Sequence, residues 1–191
     1  MKLRETGDTL YASRMEPSLE IENTANAAVI AFLKAGIRKA QQFEEAAKSP
    51  VEELRRRLFG ERIRVYDPAP LADPDIVQPQ IHPDIIERIW QLGAVIPQDC
   101  RAIVYGAPAL IHPQTGIIFV FGTGTVYFLR LPAAFAAEAI KAGAFTNHRW
   151  SFGGGMDILQ ELGDEWVGGR WLQNEPAWCS GAYQQAGKAW R

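Results

Sequence analysis

Three histidines, His82, His112 and His148, and two cysteines, Cys100 and Cys179, are the side chains best suited to nucleophilic, proton-transfer or metal chemistry. Metal binding from one helix needs two ligands on one face, as in HxxxH, and no such pair is present. His82 and His112 each precede a proline, which puts them at segment ends. No metal and no cofactor is expected. A cysteine–histidine nucleophile is conceivable from Cys179 and His148, with Asp157 orienting the ring. Cys179 follows Trp178 on an amphipathic stretch, however, where a thiol commonly serves as a small buried hydrophobe. A serine nucleophile has no support either, because the G-x-S-x-G elbow is missing.

The densest constellation lies around His148. Arg149 and Trp150 follow it directly, and Gly153, Gly154 and Gly155 precede a short stretch read as a helix from Met156 to Leu162. Free amides at a helix start favour an anion, and Arg149 adds a fixed charge. Asp157, in the first turn of that helix, would repel an anion, so a plain glycine turn competes with the pocket reading. Five tryptophans, Trp150, Trp166, Trp171, Trp178 and Trp190, crowd the last part of the chain. Such rings serve either as core or as contact platforms. Gly168 and Gly169 suggest a tight turn that brings Trp166 and Trp171 together. The candidate binding residues are therefore His148, Arg149, Trp150, Gly154, Gly155 and Trp171; catalytic residues stay unassigned.

Periodicity supplies the elements that would position these groups. Ala28, Val29, Phe32, Leu33, Ile37, Ala40 and Phe43 recur in steps of three and four, one apolar stripe of a long helix. Ser49, Pro50 and Glu52 read as a fresh helix start that runs to Gly60. Five prolines between residues 67 and 83 exclude helix and central strand, which marks a surface-lying crossing segment. Asp84 to Leu92 is a short helix with Ile85, Ile86, Ile89 and Trp90 inward. Four short runs rich in β-branched and aromatic residues follow, at 102–105, 109–111, 117–121 and 126–131. Turns are expected at Pro113–Gly116 and at Gly122–Gly124. In the third run Ile117, Phe119 and Phe121 share one face, Ile118 and Val120 the other, so both faces need cover. Pro132 opens another helix through Lys141, ended by Gly143. Pro176 opens the last, with Trp178, Ala182, Ala186 and Trp190 on one side.

The 191 residues are 47% apolar, 10% aromatic and 22% charged, the balance of an ordinary globular chain. Twenty basic against 22 acidic residues give a formal charge of -2, which argues against binding nucleic acid through phosphate neutralisation. The charged N-terminus resembles no signal peptide, and no apolar run reaches membrane-spanning length. A cytoplasmic location with reduced cysteines follows as the expectation, with no membrane association. The expected fold class is α+β: a helical N-terminal region (1–66), a proline-rich crossing segment (67–83) and an α+β region (84–191) whose small antiparallel meander is flanked by helices. For function the expectation is a non-catalytic protein-binding domain of adaptor or inhibitor type, with a protein as partner. The alternative is a small enzyme acting on an anionic or acyl substrate near His148, Arg149 and Cys179.

Overall fold

A computed structural model describes residues 21–40, 63–66, 81–146, 149–151, 159–170, 172 and 174–188. The class is α+β, as expected. Strands β1 (Arg64–Tyr66), β2 (Arg101–Val104), β3 (Ala107–Ile111), β4 (Ile118–Thr123), β5 (Val126–Arg130) and β8 (Trp166–Gly169) form one sheet in that spatial order. The five strands from β2 to β8 are antiparallel, and β1 adds a parallel edge on β2. Strands β6 (Arg149–Ser151) and β7 (Leu159–Glu161) pair separately. The helices are α1 (Ala27–Ala40), α2 (Pro83–Leu92), α3 (Ala133–Lys141) and α4 (Glu175–Gly187).

Local chemistry sets both ends of α2. His82 Nδ1 accepts from the Asp84 amide at 3.2 Å, Pro83 supplies the first helical residue, and Gly93 closes the helix. Ile85, Ile86, Ile89 and Trp90 are all buried, the inward face expected of them. The stripe of α1 holds at Val29, Phe32 and Leu33 but not at Ala28, which is exposed, and that of α4 holds at Trp178, Ala182 and Ala186. The expected helix at 50–60 and most of the proline segment lie outside the described residues, as do Trp190 and the side chain of Ile37. Ile81, near the end of that segment, is buried.

The sheet is covered on both sides. On one face the Phe32 ring of α1 stands 5.5 Å from Phe121 and 6.1 Å from Phe128, and Phe121 stacks on Phe128 at 5.0 Å. On the other, α2 and α4 cover Gly122 and Tyr127. The shared face expected for Phe119 and Phe121 is not kept. Leu110 pairs with Val120 but Ile111 with Ile118, so Phe119 is the extra residue of a β-bulge. The bulge turns its ring to Tyr183 of α4, at 6.0 Å.

Three further expectations are corrected. The turn at residues 122–124 is shorter: Gly122 lies inside β4, opposite Tyr127, and the connection to β5 is Gly124–Thr125, with Gly124 at φ +53°. Gly122 is there for closeness, since a Cβ on it would stand 2.7 Å from Ile89 Cδ1 and 2.8 Å from Ile85 Cγ2. Gly168 and Gly169 form no tight turn. They pair with Phe128 and Tyr127 in β8, and the Phe145 ring takes the space a side chain on Gly168 would fill. Leu159–Glu161, read as helix, is strand β7, because its partner β6 supplies the ladder bonds and overrides local propensity.

Candidate functional sites

Of the binding residues expected from the sequence, His148, Gly154, Gly155 and Trp171 lie outside the described residues, as do Asn147 and Asp157. Arg149 and Trp150 are placed by backbone alone: they start β6, opposite Glu161 and Gln160 of β7. Cys179 is placed in full. It is completely buried on α4, and burial pushes its thiol up to about 12. Cys100 is equally buried and pushed up to about 12, chiefly by the same desolvation. Activated cysteines show the reverse, a thiol lowered by a cation or helix start. Both cysteines are free and belong to the core.

The strongest polar cluster went unread in the sequence. Glu175, the first residue of α4, is fully buried. Its Oε1 accepts from the Tyr127 hydroxyl and the Leu172 amide, and its Oε2 from Arg88 Nη2 of α2. Burial, then the Glu175 carboxylate, pushes the Tyr127 phenol far up, so it stays protonated as a donor. The cluster ties α2, β5 and α4 together and has no exposed acceptor to offer a substrate. The one signal for it in the sequence was a glutamate in the first turn of the last helix, where the dipole favours it.

Two more anchors hold segments far apart in the chain. The Tyr105 hydroxyl donates to Glu22, and Lys34 pairs with the same carboxylate at 2.8 Å, which keeps Glu22 below the usual carboxylate range, Lys34 being the larger cause. Tyr105 holds φ +49° and Gly106 φ +72°, as a tight hairpin between β2 and β3 requires. Arg130, buried, donates to the Ala25 carbonyl at 2.8 Å and to Glu165 at 3.1 Å, and lies over the Trp166 ring.

An open groove of about 380 Å³ lies at the start of α3. Leu131, Pro132, Ala133 and Ala136 line it with apolar atoms, while Asp164, Glu165 and the Gln185 side of α4 border it. Asp164 is exposed, and Glu165 is held by Arg130. The groove is thus apolar with an acidic lip. Among the described residues no group of three histidines, cysteines or carboxylates is placed to hold a metal ion, and no helix is long and apolar enough to cross a membrane. No family model, curated protein or solved structure matches the chain.

Proposed function

We propose that this chain is a non-catalytic protein-binding domain, of adaptor or inhibitor type, that takes a partner segment in the groove at the start of α3. The observation that carries the reading is the groove's chemistry: an apolar floor of Leu131, Pro132, Ala133 and Ala136 beside the exposed Asp164 carboxylate. An apolar side chain flanked by lysine or arginine complements both features. Apolar burial would supply affinity, and the rim charge would steer approach and set salt dependence.

The test is selection from a display library of short random peptides. Enrichment of apolar–basic segments is expected. Ala133→Arg, which fills the groove and repels cations, should lower affinity roughly tenfold, about 1.4 kcal/mol, with an unchanged thermal midpoint. Asp164→Lys should slow association and flatten its salt dependence. No enrichment over the naive library, or selected peptides indifferent to both substitutions, would overturn the reading.

A further inference from the structure

His112 ends the run of β3 and opens the turn to β4, and it is 7% exposed. Its backbone is fully used: the amide donates to Ile117 at 2.9 Å, and the carbonyl accepts from Gly116 at 2.9 Å. Its buried Nδ1 has no hydrogen-bond partner among the described residues. The imidazole lies 4.8 Å from the Tyr183 ring of α4. A Cβ on Gly187 would stand 2.8 Å from His112 Nε2, so the glycine leaves the ring room against the last turn of α4. Thr115 Oγ1, in the same hairpin turn, donates to the Ala186 carbonyl at 3.0 Å. A ring contact, a close approach and one hydrogen bond therefore join residues 112–115 to residues 183–187.

We propose that His112 is a pH-sensitive latch: neutral, it lets the final turns of α4 close on the β3–β4 hairpin, and protonated, it lets them open. The groups that act on it are Tyr183 from α4 and Asp99 from the turn Gln98–Cys100, and Cys100 of the same turn acts on Tyr183. Burial raises the Tyr183 phenol and the Cys100 thiol, so both stay neutral in the acid range. Asp99 favours the imidazolium, but loss of water disfavours it more, and His112 is held below its ordinary value. Opening returns the ring to water, where it titrates near 6.5. The opened state then binds a proton more readily than the closed one. Closure is favoured above about pH 6.5 and weakens, at most tenfold per pH unit, as pH falls below it, until the closed ring itself titrates.

Amide hydrogen exchange across residues 183–187, corrected for intrinsic chemistry and referred to the β4 amides, tests this from about pH 7.5 to about pH 5. Opening of 183–187 relative to β4 should rise several-fold as pH falls in the native protein. In His112→Phe, which keeps a ring on Tyr183 without the proton, it should stay flat. An equal slope in both proteins, or no slope in the native one, overturns the latch. Should His112→Phe fail to fold, the NMR titration of the native His112 ring decides: a midpoint below 6.5 supports the latch, and one at or above it overturns it.

Discussion

Asn26 donates from Nδ2 to the Gly116 carbonyl at 2.7 Å, across 90 residues of chain. The same side chain donates to the Ile21 carbonyl at 2.7 Å and accepts from the Ile118 amide at 2.9 Å. It is fully buried, and donors and acceptor are all used. Asn26 thus performs for the β3–β4 hairpin what a neighbouring strand would, and it ties the turn just before α1 to that hairpin. Asn26→Leu should leave three buried backbone groups unpaired and cost about 3 kcal/mol or more, since each such group costs 1–3 kcal/mol before any relaxation. Urea unfolding measures it; a loss below about 1 kcal/mol would mean that water replaces the side chain.

The Glu175 cluster predicts an asymmetry between breaking and deleting an ion pair. Arg88→Met leaves the buried carboxylate without its cation and should cost about 3–5 kcal/mol. Arg88→Met combined with Glu175→Gln removes the charge as well, and should cost less than the sum of the two single changes. Tyr127→Phe, which deletes one donor to Glu175, should cost about 1–3 kcal/mol. Strict additivity in the double variant would show that the pair contributes nothing as a pair.

The buried thiols predict chemical silence. With Cys100 and Cys179 both pushed up to about 12, neither offers appreciable thiolate near neutral pH, and neither is exposed. A disulfide reagent at pH 8 should label neither in the folded protein and both after unfolding in urea. Rapid labelling of Cys179 in the folded state would return it to consideration as a nucleophile.

Much of this architecture was legible because it follows from periodicity. The stripe holding Phe32 and Leu33 and the inward isoleucines of α2 repeat with the helical period, and the runs of β2 to β5 stand out as short β-branched and aromatic stretches bounded by turn residues. What escaped depends on partners far away in sequence. Leu159–Glu161 is a strand because Arg149–Ser151 lies beside it. Phe119 leaves the face of Phe121 because β3 and β4 slip by one residue. Gly122, Gly168 and Gly169 look like turn formers, since sequence alone does not separate a glycine that bends the chain from one that admits a neighbour. The groove at α3 was invisible for the same reason: Ala133, Asp164 and Gln185 come from three separate segments. Nor does Glu175 announce its burial, because its cation and its phenol sit on other elements.

Gly122 offers the sharpest check of the packing of α2 on the sheet. Its place inside β4, opposite Tyr127, means that a methyl group there needs no new backbone conformation, only space. That space is occupied by Ile89 Cδ1 at 2.7 Å, Ile85 Cγ2 at 2.8 Å and Pro108 Cγ at 3.1 Å. Two of these atoms differ in freedom: Ile89 Cδ1 is the end of a side chain, whereas Ile85 Cγ2 branches directly from its Cβ and moves only with the helix. Gly122→Ala should therefore destabilise by about 1–3 kcal/mol through overpacking, against the gain of a few tenths expected from replacing a strand glycine in open space. Ile89→Val removes one of the two closest atoms, so the double variant should recover part of the loss, but Ile85 Cγ2 keeps the recovery incomplete. Thermal unfolding of the four proteins measures the cycle. A Gly122→Ala protein as stable as the parent would mean that α2 sits farther from β4 than these contacts require.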